Sequence, residues 1–333
     1  MKSSIKRSGV AAVLLLAASM AVVPAAGATA ATTDSSGTVN YVALGDSYAA
    51  GQGLATPTGQ PAAGCNQTAE DYPHQLAAKM GYNLTDVTCS GAVTENISKN
   101  AQSVTDASGA AHSVPIQASA LNDSTNIVTV TIGGNDAGFA SVIKSCVAAS
   151  ADGPVAGSNQ DFKDPNCKDQ YMKKGVDTLS KNIADKVARH LESTFKTIKK
   201  AAPNAQIFVV GYPSLFPDAA STPAAGCYTD LGTEPSSVSF TATDVAYLHS
   251  VEVQLNQTIA EQAADAGVTF VDNLPASVSH SMCPQGPSSY INGIAFNSAD
   301  TGPLVNPASL HPNLVGATFL ATQTYDAITA SGY

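Results

Sequence analysis

The sequence predicts an α/β fold, a three-layer sandwich of a single domain with a central parallel sheet. Four short apolar runs rich in β-branched residues alternate along the chain with longer stretches whose apolar residues recur every three or four positions. Such an alternation is typical of a parallel sheet covered by helices on both faces. The chain has 333 residues, 44% of them hydrophobic and 13% charged, which suffices for a globule with a sizeable core.

The predicted strands are short apolar runs, as expected for strands that are buried on both faces. They span residues 39–44, 127–132, 207–210 and 268–271. The predicted helices each carry an apolar stripe at helical spacing. They span residues 72–80, 176–198, 245–264 and 314–328.

The N-terminal residues have the pattern of a secretory signal peptide. Three basic residues precede an apolar run over 10–23 that is too short to span a bilayer comfortably, and small residues favour cleavage after Ala30. We therefore predict a signal peptide over 1–30, a flexible leader over 31–37 and the folded domain over 38–333. The alternative is an anchor that is retained.

Charge and composition exclude several classes of partner. The formal net charge is −10, and removal of the three basic residues of the signal peptide leaves 13 basic against 26 acidic residues, a charge of −13. An acidic surface repels nucleic-acid phosphates, so no nucleic acid is expected. The chain has no Trp, which excludes a Trp-built sugar platform. No later window predicts membrane insertion, and we expect a soluble, secreted monomer.

Six cysteines in an exported chain predict three disulfides, although six cysteines allow 15 pairings. Metal ligation is the alternative. No two cysteines lie within four residues of each other, no His-x₃-His pair occurs, and only His280 with Cys283 has a ligand-like spacing, so we predict no metal site. Sequential pairing closes loops of 24, 21 and 56 residues by subtraction and gives the bonds Cys65–Cys89, Cys146–Cys167 and Cys227–Cys283.

Candidate catalytic residues follow two of the predicted strands. The first strand runs into Gly-Asp-Ser at 45–47, and the strand 127–132 runs into Gly-Gly-Asn-Asp at 133–136. Ligands bind beyond the carboxyl ends of parallel strands, so Ser47 and Asn135 are expected to face one crevice. The structural alternatives are that Ser47 only caps a helix and that Asn135 only forms a turn.

Two further motifs complete a set. Ser-Gly-Ala at 90–92 offers the exposed backbone N–H of Gly91, and His311 lies just before the last predicted helix, with a proline after it that suits a helix start. A serine hydroxyl becomes a strong nucleophile when an imidazole takes its proton, and the resulting oxyanion needs donors already aimed at it. Ser47, Gly91, Asn135 and His311 provide these groups.

The four motifs in this order resemble the GDSL lipases and esterases of the SGNH-hydrolase superfamily. The resemblance covers about residues 40–330, and with the secretion signal and six cysteines the chain looks most like extracellular actinomycete lipases. It implies a flavodoxin-like α/β architecture. It also implies that Ser47 is the nucleophile and one oxyanion donor, that Gly91 and Asn135 complete the oxyanion hole, and that His311 is the base.

The sequence departs from the family pattern at one position. Members with a full triad carry Asp three residues before the His, and here that residue is Ala308. The leading hypothesis is a Ser–His dyad in which the backbone carbonyl of Ala308 holds His311. The nearest acidic candidates for the missing role are Asp300 and Asp326.

The predicted function is that of a secreted serine carboxylester hydrolase that cleaves acyl esters through an acyl-enzyme, without metal or organic cofactor. Alternatives are phospholipase A-type cleavage or acyl transfer on phospholipid esters, an acetyl-sugar esterase, and a non-catalytic binding protein on the same fold. Three segments rich in Gly, Pro, Ser and Asn, at 92–125, 147–170 and 213–240, are predicted to be irregular and to shape the acyl groove. Groove or core positions are predicted for Phe139, Tyr212 and Leu215.

Overall fold

The computed structural model describes residues 37–233, 235–284, 286–297 and 305–333. The predicted signal peptide and all but the last residue of the predicted leader lie outside these ranges, so both stay predictions. The residues from Thr38 onward form one compact unit.

The chain forms nine strands within the described residues, five of which make the central sheet. In chain order they are β1 (Asn40–Gly45), β2 (Asn83–Asp86), β3 (Gln102–Thr105), β4 (Ala111–Val114), β5 (Ile127–Thr131), β6 (Met172–Lys173), β7 (Val176–Asp177), β8 (Gln206–Val210) and β9 (Thr269–Val271). The central sheet is parallel, with the strand order β2-β1-β5-β8-β9. The pairs β3–β4 and β6–β7 are small antiparallel hairpins.

All four predicted strands are present, and the structure adds the edge strand β2. β1 is buried along nearly its whole length and pairs with β5 so that Tyr41 lies beside Ile127. In β2, by contrast, exposed residues alternate with half-buried ones, and its sequence is Asn-Leu-Thr-Asp. An edge strand with one open side needs no continuous apolar run, which is why the pattern search missed it.

Ten α-helices surround the sheet in the part of the chain that the structure describes. They are α1 (Ser47–Ala50), α2 (Tyr72–Met80), α3 (Thr94–Ser98), α4 (Phe139–Cys146), α5 (Lys168–Tyr171), α6 (Thr178–Asn182), α7 (Ala188–Ala201), α8 (Ala242–Ala266), α9 (Leu274–Ser277) and α10 (Leu314–Ala330). A π-helical turn, Ile183–Val187, joins α6 to α7. None of the helices described is long and apolar enough to cross a membrane.

The long helix predicted over 176–198 begins later than expected. Val176 belongs to β7 and its side chain is exposed, so it is not part of the apolar helix face. Asp177 ends the hairpin and caps α6, because its Oδ1 accepts the N–H groups of Leu179 and Ser180. A capping aspartate fixes the start of a helix, so α6 begins at Thr178.

Two apolar clusters, one on each face of the sheet, establish the three layers. On one face Val42, Leu44 and Val130 pack in a cluster with residues of α7 and α8, including Phe195 and Leu248. On the other face the alternate sheet residues pack with α2 and α10; this cluster includes Tyr41, Ala43, Phe208, Tyr72, Leu76 and Leu320. The α/β sandwich predicted from the sequence is therefore confirmed.

Disulfides hold two of the three segments that were predicted to be irregular, 147–170 and 213–240. The bonds join Cys65 to Cys89, Cys146 to Cys167, and Cys227 to Cys283, and no cysteine is free. They are the three sequential pairs expected from the spacing. The segment 92–125 is less irregular than predicted, because it contains α3 and the β3–β4 hairpin.

Candidate active site

A cavity of approximately 540 Å³ opens beyond the carboxyl ends of β1 and β5. Ser47, Asn135 and His311 line it together with mostly apolar side chains. Its position is the one expected for a ligand site in an open parallel sheet. The three predicted residues, which lie far apart in the sequence, are therefore brought to one cavity by the fold.

Ser47 is presented by the sharp turn between β1 and α1. The helix cap is the preceding residue, Asp46, whose Oδ1 accepts the N–H of Tyr48 at 3.0 Å. Ser47 is thus the first helical residue, and the reading of Ser47 as the helix cap is wrong. Within the described residues, no acceptor is bonded to the Ser47 N–H, as is usual for a first-turn amide. That N–H can donate to an anion.

His311 bonds to Ser47 through one ring nitrogen and to the backbone through the other. Its Nε2 lies 2.8 Å from Ser47 Oγ, and its Nδ1 lies 2.9 Å from the carbonyl oxygen of Ser309. A carbonyl can only accept, so Nδ1 carries the proton and Nε2 offers its lone pair to the Ser47 hydroxyl. Removal of the ring from water lowers the pKa of His311 to about 4. The imidazole is therefore neutral at pH 7.

The prediction that the Ala308 carbonyl holds the His311 ring is wrong, because the ring bonds to the carbonyl of Ser309 instead. The Ala308 carbonyl accepts the backbone N–H of His311 at 3.2 Å and the side-chain amide of Asn292 at 3.1 Å. The chain turns at Leu310, whose φ of 65° is in the left-handed region, and the His311 ring bonds to the carbonyl of Ser309. The ring is still held by a backbone carbonyl, one residue further along.

No carboxylate lies within 4.0 Å of the His311 ring in the described part of the chain. Asp326 is exposed on α10, and Asp300 falls outside the described residues. Ala308, at the position of the family aspartate, packs tightly against Gly53. A Cβ built on Gly53 would lie only 2.3 Å from Ala308 Cβ.

Gly91 and Asn135 lie on two neighbouring loops. Asn135 Nδ2 donates to the carbonyl of Ala92 at 3.0 Å, which places the amide beside the Gly91 loop. Gly91 is exposed with φ of 79°, and its N–H has no acceptor among the described residues. Asp136 fixes the two loops together, because its Oδ2 accepts the N–H of Thr94 at 2.9 Å.

Tyr212 is a residue of the site whose role the sequence did not indicate. Its hydroxyl donates to Asp46 Oδ2 at 2.5 Å and accepts the N–H of Gly134 at 2.9 Å. It therefore connects the serine turn to the loop that carries Asn135. Burial raises the pKa of Asp46 to about 7, although the hydrogen bond from Tyr212 opposes this rise. A tyrosine two residues after a strand gives no local signal of such a contact.

A second tyrosine connects the serine turn to the histidine loop. Tyr48 donates its hydroxyl to the carbonyl of Leu310 at 2.7 Å. Its ring lies 5.3 Å from the His311 ring and packs edge-on against Tyr212 at 5.1 Å between centroids. Tyr48 and Tyr212 therefore connect the serine turn, the loop that carries Asn135 and the loop that carries His311.

The remaining cavity wall is built largely from apolar side chains. Phe139, Tyr212 and Leu215, for which both groove and core positions were considered, all line the cavity. The loop after β8 is held by the buried carboxylate of Glu252, which accepts the N–H groups of Leu215 and Phe216. Other apolar side chains in the wall are Ile143, Leu255 and Ile294.

Comparisons with known proteins agree with this geometry. Residues 43–318 match the GDSL-like Lipase/Acylhydrolase family. Lipase 2 of Streptomyces coelicolor is 30% identical over 300 residues, 90% of this chain and 89% of that protein. The crystal structure of phospholipase A1 from Streptomyces albidoflavus NA297 has a TM-score of 0.61 and 27% identity, covering 88% of this chain and 99% of that chain.

A second solved structure, the extracellular lipase of Streptomyces rimosus, has the same TM-score of 0.61 at 23% identity. It covers 89% of this chain and 100% of that chain, and it supports the fold. The family match extends over most of the chain and includes all four motifs. The chain therefore belongs to the GDSL-like lipase/acylhydrolase family and is a carboxylic ester hydrolase, as the sequence predicted.

Proposed function

We propose that Ser47 is the nucleophile and His311 the general base of this hydrolase. The observation that carries the proposal is the 2.8 Å contact between Ser47 Oγ and His311 Nε2 at the wall of an apolar cavity. Nucleophile and base within hydrogen-bond reach, with the base held by a third group, is the arrangement that activates a serine. Here the third group is the Ser309 carbonyl.

In the first half of the reaction, His311 Nε2 takes the hydroxyl proton while Ser47 Oγ attacks the ester carbonyl carbon. The carbonyl electrons move to the oxygen, which becomes the oxyanion of a tetrahedral intermediate. The N–H groups of Ser47 and Gly91 and the Asn135 amide would donate to that oxygen. As the intermediate collapses, the C–O bond to the alcohol breaks and His311 gives the proton to the departing oxygen.

In the second half, water repeats the cycle on the acyl-enzyme. His311 takes a proton from the water as its oxygen attacks, and the same donors hold the second oxyanion. Collapse breaks the bond to Ser47 Oγ, which recovers its proton from His311, and the carboxylic acid leaves. An alcohol in place of water would give acyl transfer by the same steps.

We propose long or medium acyl esters of lipids as the substrate class. The cavity volume lies within the range of about 300–1,000 Å³ that is usual for small-molecule sites, and its wall is largely apolar. An acetyl group would leave most of this space unused, which argues against an acetyl-sugar esterase. A non-catalytic binding protein would have no use for the contact between Ser47 and His311.

Phospholipid acyl esters are the second candidate substrate. The supporting observation is the similarity to the Streptomyces albidoflavus phospholipase A1, at 27% identity over nearly its whole length. Hydrolysis of matched triglyceride, phospholipid and p-nitrophenyl ester series by the purified protein separates the two candidates. Preference for the phospholipid at equal acyl length would favour the second.

We also propose that the protein is secreted and acts as a monomer. Three disulfides require an oxidising compartment, and the pattern of the first residues is that of a signal peptide. N-terminal sequencing of the protein from culture medium and its mass in solution check these two statements.

The decisive test of the proposed mechanism is the variant Ser47→Ala. We expect p-nitrophenyl ester hydrolysis to fall by about 10⁶, as for other serine nucleophiles, with an unchanged melting temperature. The matched control is Ser193→Ala, which should keep full activity, since Ser193 is exposed on α7 and does not line the cavity. A serine-reactive phosphonate should label Ser47 alone; labelling at another residue with activity retained in Ser47→Ala would refute the assignment.

A further inference from the structure

A second cluster of polar side chains lies apart from the active-site cavity, where the first turn of α2 meets the end of β2. It consists of Asp71, which caps α2, His74 in the same turn, and Asp86, the last residue of β2. One ligand-type atom from each residue lies within 4.8 Å of the other two. None of the three lines the cavity that holds Ser47.

Two carboxylate oxygens in this cluster are buried without a partner. Asp71 is fully buried, and the side chain of Asp86 is only 4% exposed. Asp71 Oδ2 and Asp86 Oδ2 have no hydrogen-bond partner among the described residues. An unpartnered buried oxygen of a charged group is costly, and here two of them belong to one cluster.

The other oxygen of each carboxylate is used to fix its orientation. Asp71 Oδ1 accepts the backbone N–H of His74 at 2.8 Å, and Asp86 Oδ1 accepts the N–H of Thr88 at 2.9 Å. Each aspartate is therefore held by the backbone through Oδ1, while Asp71 Oδ2 accepts no hydrogen bond among the described residues and Asp86 Oδ2 has only the 3.4 Å contact with His74 Nδ1. Outer hydrogen bonds of this kind orient the carboxylates of metal sites.

His74 lies between the two carboxylates. Its Nδ1 is 2.8 Å from Asp71 Oδ1 and 3.4 Å from Asp86 Oδ2. A divalent cation with a neutral imidazole would neutralise two ionised carboxylates and would give Asp71 Oδ2, which has no hydrogen bond among the described residues, a partner.

We propose that Asp71, His74 and Asp86 bind a divalent cation of the Zn²⁺ type. Two carboxylate oxygens and one imidazole nitrogen suit Zn²⁺ better than Ca²⁺, which takes six to eight oxygen ligands. The side chain of His74 is 32% exposed, so solvent can reach the cluster and supply a fourth ligand. The sequence predicted no metal site, because Asp86 belongs to a separate element and its spacing from Asp71 and His74 forms no ligand motif.

The bound cation would have a structural role. It would join α2 to the edge strand β2, close to the end of the helix that carries Ser47. Asp71 packs there against Gly51, where an added Cβ would lie 2.7 Å from Asp71 Cβ. None of the three residues lines the cavity that holds Ser47, so the cation would take no part in ester cleavage.

The test is a thermal-unfolding titration of the tag-free protein after EDTA treatment and dialysis. We expect Zn²⁺ at roughly 100 times its Kd to raise Tm by about 5 °C, and Ca²⁺ to have no such effect. A Co²⁺ titration followed by visible absorption gives a second readout of nitrogen and oxygen ligation. No change in Tm and no Co²⁺ band would overturn the proposal, as would a response to Ca²⁺ alone.

Two variants locate the effect. Asp86→Asn keeps the oxygen that accepts the Thr88 N–H and replaces only Oδ2, so we expect a folded protein whose Tm no longer responds to Zn²⁺. Asp106→Asn disrupts another Asp–His pair, in which Asp106 lies 2.8 Å from His112, and should leave the response intact. An equal Zn²⁺ response in Asp86→Asn would place the cation elsewhere and overturn the proposal.

Discussion

His311 is oriented by the peptide backbone, without help from a side-chain acid in the described residues. A neutral carbonyl holds the Nδ1 proton in place, and so it selects the tautomer that catalysis needs. It stabilises the imidazolium less than a buried carboxylate would. The orientation cannot be removed by a side-chain substitution, which distinguishes this dyad from a triad.

The dyad predicts different effects for His311 and the nearby acids. In a Ser-His-Asp triad, replacing the Asp by Asn lowers kcat by about 10⁴. We expect Asp326→Asn, at an exposed position of α10, and Asp300→Asn each to lower kcat by less than about tenfold. His311→Ala should lower it by at least about 10³. A loss near 10⁴ in a folded aspartate variant would show that a carboxylate orients His311.

Tyr212 is predicted to position the oxyanion donors. In Tyr212→Phe, Asp46 Oδ2 and the Gly134 N–H lose their shared partner, so the loop with Asn135 is held less firmly. We expect kcat to fall by roughly tenfold to a hundredfold, less than the ~10²–10³ for an oxyanion donor removed outright, with KM little changed.

The matched control for this prediction is Tyr41→Phe. The Tyr41 hydroxyl is buried and bonds to Thr129 Oγ1 at 2.7 Å, away from the cavity. Both variants should lose about 1–3 kcal/mol of stability because a buried partner is left unsatisfied. Only Tyr212→Phe should lose kcat; equal kcat values in the two variants would reduce Tyr212 to a packing residue.

At the scale of elements, the disulfides differ in their distance from the chemistry. The Cys65–Cys89 bond ends two residues before Gly91, and the carbonyl of Cys65 accepts the N–H of Ser90 at 3.0 Å. The Cys227–Cys283 bond instead closes a 56-residue separation between loops. The first bond therefore supports the loop that carries Gly91, whereas the second joins two other loops of the domain.

Removing the two bonds should therefore have different consequences. We expect Cys65→Ala/Cys89→Ala to lose stability and also to lower kcat, because the loop with Gly91 gains freedom. Cys227→Ala/Cys283→Ala should lose stability, by about 2–4 kcal/mol, with kcat largely kept. Denaturant unfolding and ester kinetics on both variants test this, and six free thiols in the purified protein would contradict it from the start.

The elements also show where sequence patterns succeed. The buried strands β1, β5 and β8 have continuous apolar runs, and their burial is what the pattern detects. β2 and the two hairpins are half-exposed, so their sequences carry no such run. Local motifs located Ser47 and His311 because each follows or precedes a regular element.

Contacts between distant elements could not be predicted from the sequence. Tyr212 reaches Asp46 only because β8 and β1 end at the same edge of the sheet. The His311 ring bonds to the Ser309 carbonyl rather than to that of Ala308, at a turn that contains one left-handed residue, Leu310. A leucine gives no sign of that conformation in a sequence.

For the molecule as a whole, the buried His311 makes the free energy of unfolding depend on pH. An unfolded histidine has a pKa of about 6.5, whereas burial lowers the pKa of His311 to about 4. The unfolded chain therefore binds this proton more tightly, and stability falls as the pH falls from about 6.5 toward 4. Over the same range the folded enzyme keeps a neutral base.

The predicted consequence is an acidic limb of kcat/KM that lies well below pH 6.5. Burial raises the pKa of Asp46 to about 7, so this group contributes a separate step nearer neutrality. Profiles of the wild type and Asp46→Asn distinguish the two, because the variant lacks only the second step. An acidic limb centred at pH 6.5 or above in Asp46→Asn would show that His311 is not shielded from water.

The close contact between Gly53 and Ala308 restricts which residue can stand at position 53. A Cβ on residue 53 would lie 2.3 Å from Ala308 Cβ and 2.4 Å from Ala308 Cα, so only glycine fits there unless one of the two loops shifts. A protein engineer who rebuilds the loop around Ala308 must therefore keep glycine at 53 or move its backbone as well.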